Sequence, residues 1–182
     1  MFTTSKVAQM AALFAAKQGG AINVLKLNKL LYLADRESMS RHGCPISFDR
    51  LASMPHGPVL SQSLNLISGL SDSAKWDEWI TDCDNYDVGL THKFVRDDLD
   101  QLSDADIEVI DEVWKQFGHM TKYALRDYTH ENCPEWKDPD GSSIPIKHFD
   151  VLVHLGKSKA EARELADCIE SEGKLDRLFA RM

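Results

Sequence analysis

The side chains best suited to chemistry here are seven histidines and four cysteines. His130 and Cys133 stand three residues apart, a spacing that can place two metal ligands side by side. A zinc site needs three or four converging protein ligands, so this pair is half a site, and His56, His119 or His148 would have to complete it through the fold. There is no HExxH, no CxxC and no His-x-Glu followed by a cysteine pair. A metal-dependent hydrolase built on His130, Cys133 and His56 is therefore the enzymatic alternative, not the leading reading. Nucleophilic catalysis has less support: there is no GxSxG elbow, and Cys44 follows His42-Gly43 only as a neighbour in sequence. All four thiols read as buried or inert. No glycine-rich phosphate loop opens a helix, since Gly19-Gly20 follows one.

Two polar-aromatic clusters remain that secondary-structure propensity does not require: Met54-Pro55-His56-Gly57-Pro58-Val59, and Thr129 to Trp136. Each sets rigid backbone beside a histidine. Such clusters serve recognition, or hold a bend by bonding a backbone carbonyl.

The elements that would position these clusters are mostly helical. Apolar spacing predicts a helix over Thr4–Gln18 stopped by Gly19-Gly20, and a second from Asn23 to His42-Gly43. Residues 44–58, with three prolines, predict a turn, an extended piece and a fixed bend at His56-Gly57-Pro58. A third helix is expected from Val59 to Ile67, with Leu60, Leu64 and Ile67 inward. A β-hairpin is expected with strands Trp76–Thr81 and Val88–Val95 around Asp84-Asn85. Ser103 with Asp106 forms a capping box, and Leu102 with Ile107 a hydrophobic staple. Ile107, Ile110, Val113, Trp114 and Phe117 follow as a buried stripe, stopped by Gly118. Thr121 caps a helix to about His130, and a loop spans Cys133–Pro145. Ser158 with Glu161 opens a last helix to about Ser171, and a final turn or helix over Leu175–Ala180 follows Gly173. The fold class expected is mainly α, a compact helical domain over 1–155 with a small β-hairpin, and a helical extension, 156–182, packed on it.

Composition sets the remaining bounds. At 182 residues the chain can bury roughly 70% of its unfolded surface, so neither metal nor disulfide is needed for folding. No stretch approaches the ~20 apolar residues of a membrane span, and the N-terminus reads as an amphipathic helix, not a signal peptide. Unpaired cysteine spacing points to reduced thiols and a cytoplasmic protein. Net charge is −8, with seven Lys/Arg against three Asp/Glu in 1–60 and fourteen against twenty-six beyond. That balance argues against nucleic acid and would suit a basic protein partner. The helix pair around Gly118 carries six acidic and three basic residues from Ser103 to His130, which a DNA duplex would repel.

Lys26-Leu27-Asn28-Lys29-Leu30-Leu31-Tyr32-Leu33-Ala34 and the Gly57-Pro58-Val59 bend resemble the opening of the Panacea domain, the SocA-like antitoxin family. Leu102-Ser103 with its acidic helix, and Thr129-His130 followed by Pro134 and Trp136, resemble its closing half. The likeness spans about residues 5–150. The chain has His56 where the family usually has an aromatic, and Glu135 separates Pro134 from Trp136. The resemblance implies a mainly helical fold and an antitoxin, encoded beside its toxin in bacterial or phage genomes, that neutralises a protein toxin by direct contact. At least one such protein is an adaptor for proteolysis. No enzyme, cofactor or metal is implied. The expected partner-binding residues are Tyr32, His56, Gly57, Pro58, Val59, Trp76, Trp79, Thr129, His130 and Trp136, with core packing as the competing role for each.

Overall fold

In the computed structural model, residues 1–71 and 73–179 are described, with side chains to residue 172. Helix α1 (Thr4–Gln18) begins where the Thr3 hydroxyl accepts from the Lys6 amide at 3.2 Å. Helix α2 (Val24–His42) begins at Asn23, whose side chain accepts from the Leu25 amide. Between them lies a strand the sequence does not announce, β1 (Ala21–Asn23). Helix α2 is the axis of the molecule. Most of its length from Lys26 to Met39 is buried, including Leu27, Leu30, Leu31 and Ala34 as their spacing predicts.

The loop after α2 is pinned by two buried carboxylates. Asp35 accepts from the Ile46 and Ser47 amides at 3.0 and 2.9 Å and from the Ser47 hydroxyl. Burial pushes its carboxyl up against the pull of those donors. Strands β2 (Leu51–Met54) and β3 (Gly57–Leu60) follow as a hairpin, then helix α3 (Ser61–Ile67). The helix expected from Val59 thus starts two residues later, because Val59 and Leu60 belong to β3. Leu60 at the N-cap has no side-chain acceptor. Asp49 supplies one from the preceding loop, taking the amides of Gln62 (3.0 Å) and Ser63 (2.8 Å). Leu66 and Ile67 are the buried apolar residues of α3, with Leu64 half-buried.

The second hairpin differs from expectation at both ends. Trp76 lies in a short helix, α4 (Ala74–Asp77), and Trp79 precedes strand β4 (Ile80–Cys83), so neither tryptophan is a strand residue. Strand β5 (Asp87–Leu90) pairs with β4 and stops short of Val95. Indole bulk drives both tryptophans into the core, at 5% and 8% exposure, and the chain turns helically to bury them. With β1 the hairpin forms a three-stranded antiparallel sheet of order β1-β5-β4.

Helix α5 (Asp104–Phe117) carries the expected reciprocal box: the Asp106 amide donates to Ser103 Oγ at 3.1 Å and the Ser103 amide to Asp106 Oδ2 at 3.0 Å. Val109, Ile110, Val113 and Phe117 face the core, while Ile107 and Trp114 are half-buried. Gly118 ends this helix in ordinary right-handed geometry (φ −59°). Its necessity is spatial, since a Cβ there would sit 2.6 Å from the Trp114 ring. Helix α6 (Lys122–Asn132) is capped by Thr121.

The stretch expected as loop holds strand β6 (Ile144–Ile146), which joins β2 in a second antiparallel sheet of order β3-β2-β6. Pro145 fits there because β6 is an edge strand. Helices α7 (His148–His154) and α8 (Lys159–Phe179) complete the chain. Helix α8 runs through Gly173 without a break, so the expectation of a separate last turn or helix is corrected, and its expected end at Ala180 lies outside the described residues. Among the described residues there are eight α-helices and six strands, and the fold is mainly α with small β elements. No described helix is long and apolar enough to cross a membrane. Of the four free cysteines Cys133 is buried and Cys44 half-buried, whereas Cys83 and Cys168 are exposed.

Candidate functional site

Three polar residues of α2, Lys29, Tyr32 and Arg36, recur at three- and four-residue intervals and so share one helix face. Against that face the fold brings the β2–β3 turn and the end of α6 with the segment that follows it. Lys29 is fully buried, and its ammonium donates to the Pro58 carbonyl at 2.8 Å. Burial depresses its pKa to about 7. Tyr32, also fully buried, donates from its hydroxyl to Glu135 Oε1 at 2.7 Å, and Arg36 Nε donates to the same oxygen at 2.7 Å. Burial, then the Glu135 charge, holds the Tyr32 phenol well above its ordinary value. His154 Nδ1 lies 3.6 Å from the other Glu135 oxygen. Glu135 thus ties α2 to the segment after α6, about a hundred residues away in sequence.

The second half of the site is a clasp on the β2–β3 turn. The His130 ring stacks on Trp136, centroids 4.0 Å apart and planes at 13°. Trp136 Nε1 donates to the Met54 carbonyl at 3.0 Å, and the Lys137 amide donates to Ser53 Oγ. Thr129, fully buried, donates to the Arg126 carbonyl within α6. Gly57 must be glycine here on two counts: its φ is +99°, and a Cβ would lie 2.8 Å from Thr129 Oγ1 and 3.1 Å from Lys29 Nζ. Gly57→Ala should therefore destabilise the protein by roughly 2 to 4 kcal/mol. Urea unfolding tests this, and a loss below about 0.5 kcal/mol would mean the clasp is looser than described.

The expected site residues divide by position. Gly57, Pro58, Val59, Thr129, His130 and Trp136 come together around Lys29, with Tyr32 beneath them. His56 is exposed at the turn, and His130 and Trp136 are half-buried. Trp76 and Trp79 belong elsewhere, packed near α1 and the β1-β5-β4 sheet, where Trp79 meets His92 and Phe94 at 5.2 and 5.4 Å. Lys29, Arg36 and Glu135 carry the network without having been singled out. The α2 signal was legible, because charged residues on the inward face of an apolar helix need partners.

For hydrolytic chemistry the arrangement offers little. Burial, then the Glu135 charge, pushes the Cys133 thiol up to about 12, away from the thiolate that binds metals or attacks carbonyls. His130 is held below its usual value by burial and by the Lys29 and Arg126 charges, and its ring is engaged with Trp136. No three His, Cys, Asp or Glu side chains converge as ligands among the described residues. The geometry is that of a polar core fastening a surface turn in place.

No curated protein and no solved structure matches the chain. A family model does: antitoxin SocA-like, Panacea domain, over residues 27–137, a narrower span than the resemblance suggested. Its limits enclose α2 from Leu27 onward, the clasped turn and the segment bearing Glu135 and Trp136, which is the whole polar core apart from His154. More than half of the sequence lies within that match, and the chain belongs to the SocA-like antitoxin, Panacea-domain family.

Proposed function

We propose that this protein is an antitoxin that neutralises a co-encoded protein toxin in the cytoplasm by direct binding, without making or breaking a covalent bond. Family membership carries this reading. The polar core supports it, because its hydrogen bonds hold a rim, the exposed His56 with the half-buried His130–Trp136 stack, in a fixed shape. A preformed rim binds with less ordering entropy lost on association. In this reading His56, His130 and Trp136 touch the toxin, while Tyr32, Gly57, Pro58, Val59 and Thr129 shape the surface from below. Residues 1–155 form the binding body, and 156–182 an appended helical extension. An interface of about 1,200 to 2,000 Å² would suffice for a stable complex.

The test is growth of a host expressing the adjacent gene, with and without this chain. Toxicity of the neighbour alone, relieved by co-expression, is the expected result. A harmless neighbour, or toxicity that persists while both proteins are soluble, would refute the pairing. If relief requires a host protease and the toxin disappears, the protein is an adaptor for proteolysis and not an occluding inhibitor.

A further inference from the structure

The hollow beside His56 is not explained by the clasp. It is about 280 Å³, and its lining includes His56, Tyr86, Lys122, Tyr123 and Arg126. A second hollow of about 420 Å³ shares Asn23 and Lys122 with it and reaches Lys26, so the two form one groove. The groove runs between the start of α2, the start of α6 and the β4–β5 turn.

Three independent features distinguish this groove. First, Tyr86 and Tyr123 are exposed by 84% and 56%, and they are the exposed large aromatics among the described residues. Aromatic side chains supply contact area at low entropy cost, and tyrosine is enriched where proteins bind one another. Secondly, the tip of the turn is strained: Asn85 and Tyr86 have φ of +63° and +60°. Glycine would occupy such positions freely, and a bulky residue there is uncommon. Asn23 holds the strained tip, donating from its side-chain amide to the Tyr86 carbonyl at 3.1 Å and to Asp87 Oδ1 at 3.0 Å. Strain kept in place by dedicated hydrogen bonds is a mark of a working surface.

Thirdly, the groove reverses the charge of the molecule. The chain as a whole carries −8. The groove lining holds Lys122 and Arg126 with the buried Lys26, whose ammonium donates to Gln18 Oε1 and the Gly118 carbonyl, against Asp87, whose carboxylate is engaged by Asn23. Asp127 pairs with Arg126 at 2.6 Å, while Lys122 makes no ion pair among the described residues. Both Lys122 Nζ and Arg126 Cζ lie 5.4 Å from the Tyr123 ring, so the aromatic platform itself is edged with positive charge.

We infer that this groove docks an acidic segment of a protein partner, with Tyr86 and Tyr123 as its aromatic anchors and Lys122 and Arg126 reading its carboxylates. The identification of that partner as the toxin rests on the antitoxin reading above. The groove's chemistry does not, which allows the two to fail separately.

The test uses the full chain and two probes. Fluorescein-labelled short peptides rich in Asp and Glu are compared with Asn/Gln isosteres by anisotropy, and the product of the adjacent gene is titrated in parallel. Acidic peptides should bind at least about tenfold more tightly than their isosteres and weaken as salt rises. The Lys122→Glu/Arg126→Glu double variant should abolish that preference. Tyr86→Gly is the control for folding: it relieves the positive φ, so it should unfold no more easily than the wild type in urea, yet bind several-fold more weakly. Absent acidic-peptide binding, equal binding of acidic and amide peptides, or binding unchanged in the double variant, would overturn the groove. If the double variant still binds and neutralises the neighbour normally, the groove is overturned while the antitoxin reading stands. Acidic peptides bound in the groove, with no binding of the neighbour, would uphold the groove and remove the toxin assignment.

Discussion

Replacing Glu135 with alanine is expected to destabilise the protein by about 3 to 5 kcal/mol, the usual loss when one member of a buried ion pair is removed. Glu135 is 5% exposed and receives hydrogen bonds from Tyr32 and Arg36 on the same oxygen. Its removal leaves a fully buried phenol without a partner and a guanidinium, 19% exposed, without its counter-charge. The Tyr32 hydroxyl alone accounts for roughly 1 to 3 kcal/mol of that loss. Glu135→Gln, which keeps an acceptor in place, should lose less. Combining Glu135→Ala with Arg36→Met should recover part of the loss, because the stranded charge is then gone. Urea unfolding of the four proteins decides the matter. A Glu135→Ala protein within about 1 kcal/mol of wild type would show that α2 and the 133–137 segment are held by packing alone.

Lys29 should give the protein a measurable dependence of stability on pH. Its pKa falls from 10.5 to about 7 on folding, through burial, so between those values the unfolded chain binds more protons than the folded one. Stability from this group is therefore complete above about pH 10.5 and is lost as pH falls toward 7. Lys29→Met removes the titrating group and leaves a side chain of similar length. The stability of the wild type relative to Lys29→Met should rise by something on the order of 3 kcal/mol between pH 7 and 10. Taking the difference between the two proteins cancels titrations that Lys29 does not influence, such as that of the raised Tyr32 phenol. Parallel curves for the two proteins would contradict the burial of an amine at this position.

The legibility of the fold followed the locality of its causes. Helices α1 and α2 were evident from apolar residues at helical spacing ended by glycine, and α5 and α6 because Ser103 and Thr121 cap their own first turns. The start of α3 was not, because its acceptor, Asp49, lies twelve residues upstream of Ser61. Strands β1 and β6 span three residues each, too few to show alternation, and exist only through pairing with β5 and β2. Gly173 was expected to end a helix, yet α8 continues through it, since a single glycine weakens a helix without stopping it. The site was divided in the same way. The polar-aromatic clusters around His56 and His130 were visible as residues that propensity does not require. The role of Glu135 was not, because its partners on α2 lie about a hundred residues away. The groove was hidden for a different reason: net charge over long segments masks the few cations of α2 and α6 that only the fold sets beside Tyr86 of the β4–β5 turn.

The central claim, neutralisation by stoichiometric binding, is tested most directly by titrating the purified product of the adjacent gene with this protein while following both complex formation and residual toxin activity. Activity should fall in step with complex formation and vanish when antitoxin sites equal toxin. Neutralisation by catalytic, sub-stoichiometric amounts, or loss of activity without a complex, would contradict it.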